Sequence, residues 1–256
     1  MTWYTSLPKF KEDNGYDIDG LWYPRVTSIL SIKSKPGLYA YYASMPNFKT
    51  GEAIKNQSAQ EGTAVHAAVE AILRGEKYEV SPTIAPSIDA FKEFFANNLV
   101  HPLKIEERII SKKHGYAGTL DLLAEINGTV GVLDIKTSKS VYRDYGMQTA
   151  AYIQALSEDP NIPPLTSWVL RLDQKQTCQQ CGAEMRLKGG GTKIRNNKFP
   201  CQHEWAPMKG EYEFKEVGSY ESNIKAFLAA KQLWEWEHDY WIKQIPLHPL
   251  VTGAIL

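Results

Sequence analysis

Three acids and a lysine in this chain are spaced as chemistry would require. Residues 106–136 read EERIISKKHGYAGTLDLLAEINGTVGVLDIK. Two short apolar runs, 120–126 and 129–135, meet at Asn127-Gly128, the strongest short-range signal for a β-hairpin. Asp121 lies near the start of one strand, and Asp134 and Lys136 close the other. Two apart on a strand, Asp134 and Lys136 share a face, while Leu133 and Ile135 point into a core. Charge in so apolar a strand is costly unless something pairs with it, and a divalent cation would do so. Glu106 or Glu107, on the preceding strand, supplies a third carboxylate; strand parity alone leaves the choice open.

Magnesium and manganese prefer oxygen ligands in near-octahedral geometry. Asp121, Asp134 and the backbone carbonyl of Ile135 make such a set, with Glu107 joining directly or through water. One or two such ions can lower the pKa of an attacking water and hold a phosphate in line. Lys136 can orient or help deprotonate that water and offset charge as it develops. Lysine suits the task as a compact donor whose pKa shifts readily. An Asp-X-Lys triplet alone is usually a solvated strand edge. With Asp121 and an acid upstream, it points to a metal-dependent hydrolase. His66, by itself, reads either as a satisfied core histidine or as a metal ligand or phosphate donor. Gln148 and Tyr152 share one side of a helix, where either packing or substrate contact would use them.

A second constellation uses softer ligands. Cys178 and Cys181, followed by Gly182, make a knuckle-like turn, and Cys201 and His203 complete four ligands for tetrahedral zinc. The last two stand closer together than in the usual finger. The surrounding insert is polar and glycine-rich and could hardly fold unaided, so a structural zinc is expected; reduced surface cysteines are the alternative. Arg186, Lys188, Lys193, Arg195 and Lys198 give the insert a basic patch that could touch phosphates, dock a protein or simply be solvated.

The elements that must hold these residues follow from the apolar periodicity. Residues 1–20 have no period and read as an arm or lid. A turn then feeds a short helix near 27–30, with Thr27 as a possible cap, and Pro36 can open another reaching about Met45. Its tyrosines, Tyr39, Tyr41 and Tyr42, suit packing or base stacking. Residues 50–74 form a helix with an apolar stripe, despite Gly62. Ser81-Pro82 starts a helix to about Asn97. Strands near 103–111, 116–126 and 129–136 follow, then a helix over 142–156. A strand at 166–172 returns at 211–216, and Ser219 caps a last helix to about Trp241. Tyr23, Tyr116 or Tyr142 could stack on bases near the entrance. The fold class is α/β, with a mixed central sheet flanked by helices and a small zinc-binding insertion. P-loop and dinucleotide-binding glycine signatures are missing.

At 256 residues, 43% hydrophobic, the chain suits a single domain, 1–256, interrupted by an insertion at 174–210. Lys plus Arg and Asp plus Glu are 29 each, so any nucleic-acid surface must concentrate its positive charge locally. No stretch suits a membrane span and no secretory signal opens the chain, so a cytoplasmic protein, in a bacterial or phage-infected cell, is expected.

Four segments in order resemble the PD-(D/E)XK nuclease superfamily, and within it the RecB-like exonuclease branch of phage and mitochondrial exonucleases. Gly62-Thr63-Ala64-Val65-His66 looks like the early histidine motif, and Gly118-Thr119-Leu120-Asp121 like the Gly-x-x-Asp strand. Leu133-Asp134-Ile135-Lys136-Thr137 looks like the acid-X-Lys core, and Gln148-Thr149-Ala150-Ala151-Tyr152 like the Gln-x-x-x-Tyr helix. Residues 23–30 also resemble an N-terminal segment of such exonucleases. The likeness covers roughly residues 20–240. It implies a restriction-endonuclease-like core with magnesium or manganese at His66, Asp121, Asp134 and the Ile135 backbone. It also implies a catalytic Lys136, an upstream glutamate best matched by Glu107, and Gln148 and Tyr152 supporting the site and touching the DNA strand. Some relatives carry cysteines for an iron–sulfur cluster around the core; here none precedes the core, so such a cluster is not expected. The resemblance implies an exonuclease acting on single-stranded DNA or DNA ends in replication, recombination or repair, with a protein partner in that pathway. A structure-specific endonuclease and a catalytically silent DNA-binding protein are the alternatives.

Overall fold

Asn127 and Gly128 adopt φ of +51° and +83°, the left-handed pair that a two-residue hairpin turn requires. In the computed structural model, which describes residues 4–197 and 200–246, this turn joins the two central strands of the site. The chain opens with helix α1 (Leu7–Asn14), a hairpin of β1 (Gly15–Ile18) and β2 (Leu21–Pro24), and helices α2 (Val26–Leu30), α3 (Pro36–Ala43), α4 (Phe48–Arg74) and α5 (Ala85–Asn97). Strands β3 (Val100–Ser111), β4 (Tyr116–Ile126) and β5 (Thr129–Lys136) follow, then helix α6 (Asp144–Leu156). Strand β6 (Thr166–Thr177), the hairpin of β7 (Glu184–Lys188) and β8 (Gly191–Arg195), strand β9 (Lys209–Glu216), and helices α7 (Tyr220–Glu237) and α8 (Asp239–Ile242) complete it.

The main sheet has seven strands in the order β3-β4-β5-β6-β7-β8, with β9 also on β6. It is mixed: β5 and β6 run parallel, and the other pairs are antiparallel. The crossover between the parallel strands is α6, as a parallel pair demands. Helices cover both faces. One core packs Val65 and Val69 of α4 and Phe91 and Phe94 of α5 against Leu122, Leu133, Ile135 and Leu170. The other packs α6, α7 and the N-terminal segment against Leu120, Leu123 and Val132.

Several boundaries differ from expectation. The first twenty residues are no arm where they are described: Phe10 of α1 and Trp22 of β2 are fully buried among Trp234 and Trp241. Thr27 lies inside α2, whose N-cap Arg25 makes no side-chain cap. Ser81 accepts from Ile84 and Ala85 through its carbonyl, in a turn that delays α5 to Ala85. Ser219 precedes α7 in a left-handed conformation without capping it, and the helix breaks at His238. Strand β6 runs on to Thr177 and pairs with Lys209 through Lys175, so the excursion leaves the sheet near 178 and rejoins it near 208. Tyr41 and Tyr42 pack α3 onto α4, Tyr41 donating to the Gly51 carbonyl and Tyr42 stacking on Phe48. Among the described residues no helix is long and apolar enough to cross a membrane.

Candidate active site and metal knuckle

The carboxylates meet where the sheet changes phase. Gly118, which faces Tyr152, and Leu120 lie on the α6 side of β4, whereas Leu122, Ala124 and Ile126 lie on the α4–α5 side. The alternation therefore slips at Asp121. Opposite it, the register pairs Ile105 with Leu122 and Glu107 with Leu120, leaving Glu106 across from Asp121. Glu106 has φ +48°, a left-handed conformation that a non-glycine residue holds only at some cost. Such a kink re-aims side chains, as β-bulges beside active sites do.

The result is a tight trio. His66 Nδ1, from α4, lies 3.5 Å from Asp121 Oδ1 and 4.0 Å from Glu106 Oε1. One ligand atom from each of the three lies within 4.8 Å of the others, and all three side chains are half-buried. Glu107 is not among them. Across from Leu120, its carboxylate pairs instead with the Lys104 ammonium. Strand parity left the two open and the resemblance favoured Glu107; the structure places Glu106, and not Glu107, beside His66 and Asp121.

Asp134 and Lys136 stand beside the trio on the α6 side. Asp134 is 1% exposed, and its carboxylate lies 2.7 and 2.6 Å from Lys136 Nζ. Gln148 Nε2 donates to Asp134 Oδ1 at 3.0 Å and to the Tyr152 hydroxyl at 2.9 Å. The two sets join through the backbone, since the Ile135 N–H donates to Asp121 Oδ2 at 2.6 Å. There the β4–β5 ladder ends at Leu122–Leu133, and a side chain takes the place of the next carbonyl. Tyr152 is 2% exposed and fills the space over Gly118, where a Cβ would come within 2.6 Å of its ring. Tyr152 and Gln148 accordingly position Asp134, and Tyr152 does not reach the open side. Gly62 lets α4 close on the end of β5: a Cβ there would stand 2.9 Å from Thr137 Oγ1.

The electrostatics follow from this burial. Desolvation lifts the Asp134 carboxyl to about 6, against the opposing pull of Lys136. Burial alone would depress His66, but the facing Asp121 and Glu106 carboxylates prevail and raise it to about 10. Burial likewise opposes the Lys136 charge, yet Asp134 and Asp121 keep its pKa above the ordinary lysine value. Asp134 Oδ2 is buried with the ammonium beside it but no well-formed hydrogen bond. His66, Glu106 and Asp121 are a donor set that fits a hard divalent cation, and the under-satisfied Asp134 carboxylate stands outside that trio, linked to it through the Ile135 backbone.

The four softer ligands also converge. Cys178, Cys181, Cys201 and His203 lie within 4.8 Å of one another, and the group could hold a metal such as zinc. Cys178 Sγ is 3.9 Å from Cys201 Sγ, and Cys181 Sγ is 3.4 Å from His203 Nδ1. Ligands at tetrahedral zinc stand roughly 3.5–3.8 Å apart, given Zn–S and Zn–N lengths near 2.3 and 2.0 Å. Gly182, at φ +71°, closes the knuckle with its N–H on the Cys178 carbonyl. Burial of Cys178 is outweighed by N–H groups of Cys181 and Gln180 and by His203, which lower its thiol to about 6.

Between the cysteines lies a hairpin that the sequence did not announce. Gly189 and Gly190, at φ +61° and +75°, turn β7 into β8, a Gly-Gly signal flanked by Leu187 and Ile194. The hairpin lies over α4: Gly189 donates to Glu61 at 3.1 and 3.0 Å. Arg186 donates to Asp173 and, at 3.1 Å, to the Thr137 carbonyl, which Lys188 also reaches. Arg186 and Lys188 are therefore committed within the fold and not available to phosphates. Lys193 and Arg195 are exposed, and Lys198 lies outside the described residues. Of the three candidate stacking tyrosines, Tyr23 and Tyr116 are buried and only Tyr142, 41% exposed, can meet a base.

No protein-family model matches this chain, and no curated protein matches it.

Proposed function

We propose that this chain is a metal-dependent DNA exonuclease of the PD-(D/E)XK superfamily, with a restriction-endonuclease-like core, acting on single-stranded DNA or DNA ends. The observation that carries the reading is the cluster of His66, Glu106 and Asp121 at the kink of the sheet, joined through the Ile135 N–H to the strand end where Asp134 and Lys136 are paired. A magnesium or manganese ion held by His66, Glu106, Asp121, Asp134 and the Ile135 carbonyl would neutralise a scissile phosphate and lower the pKa of a nearby water. Lys136, kept charged by its acids, donates to water or phosphate oxygen and offsets negative charge in the transition state. Gln148 fixes the Asp134 carboxylate, and Tyr152 fixes Gln148. A role in replication, recombination or repair, with a protein partner from that pathway, goes with this reading, as does a cytoplasmic location.

End-labelled linear single strands, circular single strands and duplex, each with magnesium, test the proposal. Linear single strands should be shortened from an end, and D134A should lower the rate by about a thousandfold or more, as loss of a central electrostatic group does. Cutting of circles would replace the exonuclease with an endonuclease. DNA binding without any magnesium-dependent cleavage would overturn both.

A further inference from the structure

The wall beside the acids is built from a loop and a hairpin that the reaction itself does not use. The Tyr145 ring centroid is 5.1 Å from Lys136 Nζ, and Tyr142 meets Tyr145 edge-on at 5.7 Å. These two rings step from the half-buried lysine to open solvent. The β7–β8 hairpin is tied to Thr137 by Arg186 and to Glu61 by Gly189, and its Arg186 and Arg195 charges are felt at Tyr142. Lys193 is the cross-strand partner of Arg186, and Arg195 is that of Glu184, so both lie on the face whose Arg186 turns toward Thr137. Lys139 follows Thr137 by two residues and is exposed.

We propose that these groups form a single-stranded nucleic-acid track that leads from Lys136 over Tyr145 and Tyr142 to Lys139, Lys193 and Arg195. What happens to the strand at its inner end rests on the nuclease reading above. Lys139, Lys193 and Arg195 have no carboxylate partner among the described residues, although the neighbouring acids do: Asp173 holds Arg186, Glu184 holds Lys175, and Asp144 holds Lys33. The cations feel one another. Burial and then Lys193, Arg195 and Arg186 press the Lys139 pKa below the ordinary value. Uncompensated like charges gathered on one surface favour a polyanion. An exposed ring among them selects its kind, because a single strand offers base faces for stacking and a duplex keeps its own covered.

Fluorescence anisotropy with a labelled oligothymidylate of about 15 nucleotides, a duplex of the same length and a polyglutamate competitor tests the track. The full chain carrying D134A is the host, so that no strand is cut. Adding K193Q with R195Q should weaken oligothymidylate binding about tenfold and lower the slope of log K against log salt by about 1.4, near 0.7 for each phosphate of a single strand left without its cation. Y142A should weaken it about tenfold with little change in slope, and Y142F should bind like the host. K225Q, on exposed α7 surface, controls for general charge, and unchanged melting temperatures control for folding. Unaltered binding in both sets of variants would overturn the track. So would losses confined to the duplex, or displacement of the strand by polyglutamate at equal charge. Hydrolysis of bis(p-nitrophenyl) phosphate by the chain without D134A reads the acids alone. If only the track is wrong, that hydrolysis persists and binding ignores the variants; if only the nuclease reading is wrong, the binding losses persist without hydrolysis.

Discussion

Glu106 and Glu107 are adjacent and identical in chemistry, and only the backbone distinguishes them. The left-handed turn at Glu106 sends its carboxylate toward His66, while Glu107 is held by Lys104. E106Q should therefore reduce magnesium-dependent cleavage by about 10–100-fold or more, in the range seen when groups around a metal are altered. E107Q should stay within about twofold. Equal losses in the two, measured as kcat/KM on a linear strand, would contradict this assignment. Asp121, Asp134 and Lys136 were legible in sequence because a hairpin with Asn-Gly at its turn has one good register. The glutamate was not, because alternation by two presumes an unbroken strand, and here both strands slip at the same level. Tyr152 illustrates the same limit: its spacing from Gln148 was visible, but the hole at Gly118 that it fills was not.

At the scale of elements, the excursion between β6 and β9 braces the site. Its four ligands announce themselves by residue type, so the knuckle could be read from sequence. Strands β7 and β8 could not, since at five residues each they are too short and polar to show a period. With zinc at these four ligands, a chelator or C181S should free the hairpin and expose a new tryptic cut at Lys188, which mass spectrometry would detect. An unchanged digest would show that the fold holds the hairpin without metal. Lys188 offers a pH test of the same tie to Thr137. Burial, followed by repulsion from Arg186, lowers its pKa from 10.5 to about 8. A depressed lysine favours the folded state above its unfolded pKa and loses that benefit as pH falls through the folded value. K188M should thus be most stable relative to the parent below pH 8, and its advantage should shrink between about 8 and 10.5. Urea melts at pH 7 and pH 10 measure the difference.

Across the whole molecule, the two cores lie on opposite faces of one sheet, and the acids sit between them. The first and last helices meet on one side, where Phe10 stacks with Trp234 and Trp241. F10A should cost about 3–5 kcal/mol, as truncation of a buried phenylalanine does. Denaturant unfolding would check it, and a loss below about 1 kcal/mol would mean that the N-terminal helix is expendable. That helix was hidden in the sequence because eight residues with one large buried apolar side chain make no stripe. The α/β class was visible, since long helices and the central hairpin carry clear periods. Lys193 and Arg195 stood out in the sequence as part of a basic insert, but Lys139 did not, because only the docked hairpin brings it near them.

Asp121 has two masters. Its carboxylate faces His66, and it also receives the amide proton of Ile135 where the β4–β5 ladder stops. Drift at this position must answer to the backbone as well as to chemistry. Asparagine there would keep the shape, because it retains an acceptor oxygen for the Ile135 N–H and gives up only the charge. Alanine would leave the Ile135 N–H without its acceptor and unfasten the strand end.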